Sequence, residues 1–463
     1  MAAYSPLNTS ESNINFGNDE MSTMESNLSQ QQTLSRVPAI PISRTPTNPR
    51  DLSYWSLFMM SLIICSVMGF IKHSAFLQDS FVLYRKAGGW SSMLMVSTLF
   101  GCIIGTALTL SLTYNPMKDF LLKYAMKFSI FMQIAISFFT IIILGTQCWP
   151  ITIIILFGVY CDTRKYILFK ESSAFVGAQI ETSVHILGEY SISYILSVTL
   201  ISALQTGLLL WLGVIFVGLL TEVHAGLAAI LIIFMSITFY WTIQLFQAII
   251  SSITGACVLW YFIKNDTESL EPSKRVGLYT QTAFSASLGT LCKAALLIPL
   301  TQSILAIDFW ASTPSIGIDG LMRKTASFIT HNMAIRCHQY SRLIYPIIGT
   351  YSQTFNRAAR HSNDEEHISV ILDATANFFL KGLASGASLL VLFAFAAVGH
   401  HDPSLPLFLC ISLFLVHSGT SLLLTCIRSA IDTLTIAFSL NPSRLALLSP
   451  VVFHRYLRTI KDK

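Results

Sequence analysis

The chain has 463 residues, of which 53% are hydrophobic and only 11% are charged. Soluble domains carry about 25% charged residues, and a water-soluble core cannot absorb this excess of apolar side chains. The composition therefore excludes an ordinary soluble protein and predicts a polytopic protein of the lipid bilayer. The net charge of +5 is spread along the chain and gives no indication of a nucleic-acid partner.

The first 50 residues are rich in Ser, Asn, Thr, Gln and Pro and poor in apolar residues. Such a segment cannot bury enough apolar surface to fold alone, so we predict a disordered N-terminal tail over 1–50. The apolar runs that follow predict a membrane domain over 51–440. The last residues, 441–463, contain several Lys and Arg and are predicted to form a basic cytosolic C-terminal tail.

Apolar runs long enough to cross a bilayer recur through this domain. A crossing needs roughly 20 mostly apolar residues, because the hydrocarbon layer is about 30 Å thick. The predicted fold class is therefore all-α, a polytopic membrane bundle of about ten transmembrane helices. The runs lie near 53–71, 90–113, 128–145, 147–161, 191–219, 226–262, 283–307, 338–356, 368–398 and 405–438. The run 226–262 is too long for one straight crossing and must be tilted, broken near Gly255 or extended beyond the membrane.

Most Lys and Arg fall on one side if both chain ends are inside, whereas the short outer loop from Lys72 to Gly89 and the other outer segments hold few. This bias predicts cytosolic N- and C-termini. The segment 308–345 is an exception, because it holds several of the basic residues assigned to the outside.

Sequence signatures of catalysis are absent: the chain contains no HExxH, P-loop, GxSxG or dinucleotide-binding motif. Its nine cysteines fall mostly inside apolar runs without CxxC spacing, which predicts small buried residues rather than a metal site. We therefore expect no enzymatic activity, no catalytic residue, no cofactor and no metal.

Charged residues inside the predicted spans are the strongest functional candidates, because each costs about 3 kcal/mol unless it is paired or faces water. Lys293 lies near the middle of the seventh span, and Arg428 and Asp432 share one face of the tenth. We predict that these three line a polar pathway or take part in coupling. The alternative for Arg428 and Lys293 is a side chain that extends to the membrane interface, and Arg428 and Asp432 could also pair with each other. The other such residues are Asp373, Lys381 and His417.

Small residues recur at spacings that bring helices together. Gly101 and Gly105 form GCIIG, and Gly255 and Gly289 each follow a serine four residues earlier. Such pairs let helix backbones approach closely, and a glycine among Ser and Thr is also where a membrane helix can unwind. We predict helix breaks near Gly255 and Gly289, with close packing as the alternative.

Four segments resemble one known family. The stretch YWTIQLFQAIISSITGACVLWYF (240–262) and the following SLGTLCKAALL (287–297) are similar to the choline transporter-like family of the plasma membrane. GTYSQTFNRAAR (349–360) and SAIDTLTIAFSLNP (429–442) resemble two further family segments, and the collinear pieces cover about 125–445. The short first outer loop resembles fungal and protist members.

The resemblance implies a transporter domain over 51–440 with cytosolic termini, in the plasma membrane. It implies a secondary transporter that moves choline or a related small organic cation or amino-alcohol, such as ethanolamine, by alternating access, with exchange for protons as an option. The departures at Gln247, Lys293 and Ser352 concern the substrate rather than the fold.

A quaternary ammonium has no hydrogen-bond donor, so aromatic faces would bind it, each contributing about 0.5–2 kcal/mol. Glutamines could hold the hydroxyl end. The residues predicted to contact substrate are therefore Tyr240, Trp241, Gln244, Gln247 and Tyr351. A charged Lys293 facing the pathway would repel such a cation, so it faces elsewhere, is paired, or the substrate is not choline.

Two other classes of function remain open. A cation channel or passive facilitator would show flux that does not saturate with substrate. A non-transporting membrane scaffold of the same fold is favoured by the departures from the family pattern. The sequence does not predict the oligomeric state.

Overall fold

The computed structural model describes residues 50–144, 172–222, 225–263, 271–312, 341–360, 376–391 and 405–461, with isolated residues between 153 and 167. Regular secondary structure in these ranges is entirely helical. In chain order the helices are α1 (Leu52–Thr113), α2 (Asn115–Leu144), α3 (Ser173–Gly188), α4 (Ser191–Glu222), α5 (Ala225–Ile263), α6 (Pro272–Phe284), α7 (Leu288–Ser312), α8 (Ile344–Tyr351), α9 (Ala376–Val391), α10 (Leu405–Leu440), α11 (Pro442–Leu448) and α12 (Pro450–Lys461).

Helices α5 and α10 form the centre of the bundle. In α5, 89% of the residues in one 18-residue window within Ile233–Ile263 are buried, and in α10 the share is 83% for such a window within Ser412–Leu440, against 28% for Val96–Thr113 in α1. An apolar helix that is buried on nearly all sides packs against protein rather than lipid. Among the described helices, polar residues on α5 and α10 are therefore expected to face protein or an internal cavity rather than lipid.

The two central helices run parallel to each other. Near the middle of α5, Gln247 Nε2 donates to Ser421 Oγ of α10 at 2.9 Å. At the ends of both helices, Asn441 Nδ2 donates to the carbonyl oxygen of Phe262 at 3.2 Å. Hydrogen bonds between membrane helices typically stabilise their packing by about 0.6–2 kcal/mol, so these contacts fix the register of α5 against α10.

Helix α1 crosses the bundle twice. Ser66 accepts a hydrogen bond from Trp211 at 3.3 Å, and Cys102 Sγ lies 3.5 Å from Thr206 Oγ1. Ser66 and Cys102 would be about 54 Å apart on a straight helix, whereas their partners on α4 are separated by about 7.5 Å of helix rise. The chain must therefore bend back between its two ends. The outer loop predicted at 72–89 is helical instead.

The second arm of α1 packs directly on α10 through the predicted GCIIG pair. A methyl group added to Gly101 would lie 2.9 Å from Val416 Cα, and one added to Gly105 would lie 3.0 Å from Thr420 Cα. Only hydrogen fits between backbones at this distance. Here the small residues serve close packing.

Five described helices are long and apolar enough to cross a membrane, and a sixth crossing results if α6 and α7, bent by 72° at their junction, count as one broken span. Two shorter apolar helices, Leu52–Met68 and Ala376–Val391, accompany them. The predicted helical membrane fold is therefore supported, although about ten spans are not reached within the described ranges. The predicted tail over 1–50 and most of 147–161 and 308–345 lie outside those ranges.

Three local predictions differ from the structure. Within 341–356, the described part of the span predicted at 338–356, the eight-residue helix α8 is followed by Ser352 with a φ of 48°, and a separate helical stretch begins only at 355. Eight residues rise about 12 Å, less than half of the hydrocarbon thickness. Helix α5 continues through Gly255, so the break predicted there is absent. The predicted tail over 441–463 forms α11 and α12, and Tyr456 of α12 is completely buried beside α3.

Candidate functional site

A cavity of about 350 Å³ lies between α5, α7, α9 and α10, next to the start of α8. Its size falls at the lower end of the range of small-molecule sites, about 300–1,000 Å³. The polar side chains of its wall are Tyr240, Gln244, Gln247, Gln302, Ser303, Arg342, Tyr345, Lys381, His417, Ser418, Ser421, Thr425 and Arg428. The remaining wall is apolar and includes Phe414.

Helix α5 presents three of the predicted substrate residues to this cavity. Tyr240, Gln244 and Gln247 are spaced by three to four residues, so they lie on one face of the helix. Gln247 is held by its hydrogen bond to Ser421 across the wall. Tyr240 is half exposed and is the first of the three residues along this face.

Arg342 lies immediately before α8 and connects three elements at the cavity. Its Nε donates to Gln302 Oε1 of α7 at 2.7 Å, and one terminal nitrogen donates to Asn377 Oδ1 of α9 at 2.5 Å. Both acceptors are neutral amides, which fix the orientation of the guanidinium without cancelling its charge.

Arg428 of α10 lies on the same wall, and within the described structure it makes no hydrogen bond or ion pair. Its charge is repelled by Arg342 and attracted by Asp432, which is four residues further along the same helix. Asp432 is only 4% exposed, and its Oδ1 atom has no hydrogen-bond partner. One carboxylate therefore faces two guanidinium groups.

Lys381 and His417 extend the basic wall on α9 and α10. Lys381 lies close enough to His417 to act on it electrostatically, and His417 Nδ1 is 3.4 Å from Ser388 Oγ. Together with the two arginines they give the wall four basic side chains, and none of the described residues lining it is an Asp or Glu. The cavity is thus a partly open site with a basic and partly apolar wall between the helices.

The other predicted site residues do not line this cavity. Trp241 is 4% exposed, donates from Nε1 to the carbonyl oxygen of Cys292 at 3.0 Å and packs edge-on against Phe58. Tyr351 packs against the main apolar core at the end of α8. Because both are occupied by protein contacts, we do not assign them to substrate.

Lys293, predicted to lie on the pathway, points to a different place. Its Nζ donates to Asn356 Oδ1 at 3.4 Å and lies 5.3 Å from the ring centre of Tyr54 and 5.1 Å from that of Phe355. A neutral oxygen and two ring faces therefore accommodate its charge away from the cavity.

Gly255 and Gly289 are sites of close approach. A methyl group on Gly255 would lie 2.7 Å from Pro346 Cα of α8, and one on Gly289 would lie 2.7 Å from the carbonyl oxygen of Asp51. The bend between α6 and α7 is adjacent to Gly289, at Ser285–Ser287.

A cluster that we call the Asp51 junction holds this bend. Asp51 Oδ2 accepts from Thr290 Oγ1 at 3.1 Å and from the backbone N–H of Phe355 at 3.5 Å. The backbone N–H of Arg50 donates to the carbonyl oxygen of Ala286 at 3.2 Å, and the Arg50 guanidinium donates to the carbonyl oxygen of Ser352. The start of α1, the α6–α7 bend and the end of α8 therefore meet here.

Sequence reasoning did not assign Arg342, Tyr345 or Gln302 to the site. The charge bias places Arg342 with the outer basic residues of the segment 308–345, which gives no reason to assign it to a site within the membrane. Lys381 and His417 carried a usable signal, since both are ionisable residues within apolar runs. A half-helix such as α8 leaves no such periodic signal.

The comparison with known families identifies one match. A family model described as plasma-membrane choline transporter matches residues 120–443, which is more than half of the chain. The matched range includes the bend between α6 and α7 and every residue of the cavity wall. Among curated individual proteins, none matches the chain.

Proposed function

Because the chain belongs to the plasma-membrane choline transporter family, we propose that it carries a small polar solute across the membrane through the cavity between α5, α7, α9 and α10. The protein is a helical integral membrane protein, and the role of its family is transport rather than catalysis. The location that goes with this proposal is the plasma membrane, with both termini in the cytosol.

The observation that carries the proposal is the row of polar side chains that the central helices α5 and α10 contribute to the cavity wall. Gln244, Gln247 and Arg428 lie within spans whose other surfaces are packed against protein. Polar groups at this depth are costly unless they face water or a ligand. A cavity built from them is therefore best explained as a binding site within the membrane.

The mechanism that we propose is alternating access of a secondary transporter. Two interrupted elements border the cavity, the α6–α7 pair with its 72° bend and the half-helix α8. In transporters, such interruptions often form the substrate site at the repeat interface. Movement at Ser285–Ser287 would open the cavity to one side, while the α5–α10 contacts stay in place. If transport is coupled to protons, His417 is the residue of the cavity wall whose imidazole could accept and release one.

Choline is the solute that family membership favours, and ethanolamine is the smaller amino-alcohol to compare with it. We propose uptake measurements with the purified chain in vesicles, with labelled choline or ethanolamine outside and with and without a pH gradient. Saturable uptake above that of empty vesicles is expected of a transporter. Flux that rises without saturation would instead indicate a facilitator, and no flux with any small solute would indicate a scaffold.

A matched pair of variants on α9 tests whether solute passes through this cavity. Ala384 lines it, so Ala384→Phe is expected to fill the space and reduce uptake at least about tenfold. Leu390 lies on the same helix but is exposed on the outer surface, so Leu390→Phe is expected to leave uptake unchanged. Equal uptake by both variants would place the route elsewhere.

A further inference from the structure

We infer that the solute recognised in this cavity carries an oxyanion, a carboxylate or a phosphate group, which binds between Arg342 and Arg428. The inference rests on the proposed function for the route but concerns the charge of the solute. Its basis is the charge of the wall. Arg342 and Arg428 both line the cavity, and within the described structure the one carboxylate that acts on both of them is that of Asp432.

Arg342 is oriented in advance for an anion. Its hydrogen bonds to Gln302 and Asn377 use two of the five N–H donors of a guanidinium. Neutral amide oxygens accept these bonds, so the positive charge is retained while the plane of the group is fixed. A carboxylate or a phosphate can then accept from the remaining donors with little loss of side-chain entropy.

Arg428 supplies the second half of the site. Within the described structure its donors are unused by protein acceptors, although the side chain lies on the cavity wall of a central helix. Arg342 and Arg428 repel each other, and Asp432 attracts both but cannot neutralise both. An oxyanion placed between the two guanidinium groups would remove the repulsion and satisfy the donors of Arg428.

The same wall disfavours a solute that is only a cation. Tyr240, Tyr345 and Phe414 offer aromatic faces, which attract an ammonium group through their quadrupoles. A full positive charge repels it more strongly at similar distance in a medium of low dielectric constant. A solute with both an ammonium and an oxyanion group can use both features, whereas choline, which the description of the family names, has the ammonium group alone.

The test is equilibrium binding to the purified full-length chain in lipid nanodiscs, with three probes that share one ammonium group and two that lack it. Choline is the cation, glycine betaine adds a carboxylate, and phosphocholine adds a phosphate; inorganic phosphate and acetate lack the ammonium group. We expect betaine or phosphocholine to bind at least about tenfold more tightly than choline. Tighter binding of choline than of both zwitterions, or no binding of any oxyanion probe, would overturn the inference.

Variants show whether the arginine pair is responsible. Arg428→Gln is expected to weaken oxyanion binding by about 10- to 100-fold, as for the loss of one charge-assisted hydrogen bond. Arg428→Lys keeps the charge but not the planar guanidinium. Its affinity for the oxyanion is expected to lie between that of Arg428→Gln and that of the unchanged protein. Asp432→Asn is expected to tighten oxyanion binding, because it removes the competing negative charge. A purely structural role of these residues would not produce opposite changes at Arg428 and Asp432.

Arg444 provides the matched control, because it lies outside the cavity at 4.8 Å from the ring centre of Tyr261. Arg444→Gln is expected to leave the affinity of every probe unchanged. If Arg428→Gln and Arg444→Gln change affinity equally, the inference is wrong. Uptake by the same preparations separates the two proposals. Oxyanion binding without uptake counts against transport, whereas saturable choline uptake that is insensitive to Arg428→Gln counts against the oxyanion.

Discussion

The Asp51 junction and the central cavity are two polar clusters within the same helical bundle, and they differ in how their charges are satisfied. At the junction, Asp51 accepts from Thr290 and from the backbone of Phe355, and the nearby Lys293 rests against Asn356 and two aromatic rings. In the cavity, Arg428 has no such partner within the described structure. A charge that the protein satisfies itself holds helices together, whereas a charge left at a cavity wall is available to a ligand.

The difference also decides where a cation could bind. At 4 Å a single positive charge repels another by about 4 kcal/mol at an effective dielectric constant of 20. An aromatic face contributes about 0.5–2 kcal/mol of attraction. Arg342 and Arg428 line the wall beside three aromatic side chains, so a solute with both an ammonium group and an oxyanion can use more of the wall than a bare cation.

The largest effect on stability is expected at the junction, from Asp51→Ala. The substitution leaves the hydroxyl of Thr290 and the N–H of Phe355 without their acceptor, which lowers the free energy of unfolding by about 2–4 kcal/mol. Asp51→Asn keeps a side-chain oxygen and suits the left-handed backbone at this position, with a φ of 50°, so its effect should be smaller. Thermal unfolding in detergent measures both. Equal stability of the Ala variant and the unchanged protein would show that the junction is not a structural tie.

Substitution in the cavity is expected to show the opposite pattern, with a small change in stability and a large change in ligand affinity. Arg428→Gln should change the free energy of unfolding by less than about 1 kcal/mol, because it removes both the repulsion from Arg342 and the attraction to Asp432, which oppose each other. Its effect on ligand affinity should be about 1.5–3 kcal/mol. Unfolding and binding are measured on one preparation. A variant that loses stability but keeps its affinity would reverse the distinction between the two clusters.

Lys293→Met is expected to have a moderate effect at the junction. It removes a long hydrogen bond and two ring contacts, together about 1–2 kcal/mol of stability, partly offset by the lower cost of burying an apolar chain. Affinity for the solute should not change, because Lys293 does not line the cavity. Lys293→Arg serves as the charge-retaining control. A change in affinity with unchanged stability would return Lys293 to the pathway, where its sequence position first placed it.

Trp241→Phe is expected to leave transport almost unchanged. The indole loses its hydrogen bond to Cys292 and part of its buried volume, together about 1–3 kcal/mol of stability, while a ring remains to pack against Phe58. Uptake and affinity should stay within about twofold of the unchanged protein, because Trp241 lies in the core. Tyr240→Phe is the matched variant for comparison, because Tyr240 lies on the face of α5 that lines the cavity. A stronger loss of affinity for Trp241→Phe than for Tyr240→Phe would contradict the assignment of the two aromatics.

The sequence predicted the helical membrane class, the family and part of the cavity, because these depend on composition, collinear segments and helix periodicity. The spacing of Tyr240, Gln244 and Gln247 is enough to predict that they share one helix face, and Arg428 is recognisable as a charge within an apolar run. Their neighbour Trp241 was also predicted to contact substrate, since one position along a helix rotates a side chain by about 100° and apolar runs do not show which face is enclosed.

Arg342 could not be assigned in this way. Its position depends on the half-helix α8 and on partners from α7 and α9 that are distant in sequence. The same holds for the glycines. Gly255 interrupts no helix, because its lack of a side chain is used by Pro346 of another element. Whether a glycine allows a break or a contact depends on what packs against it, which a single sequence does not contain.

The central claim is that the arginine pair of the cavity selects a solute with an oxyanion. The most direct measurement is uptake of labelled glycine betaine and labelled choline into vesicles that contain either the unchanged chain or Arg428→Gln. The account predicts that the unchanged chain takes up betaine in preference to choline, and that Arg428→Gln reduces betaine uptake about tenfold or more while choline uptake does not fall. Preferred uptake of choline by the unchanged chain, with no effect of Arg428→Gln on betaine, would contradict it.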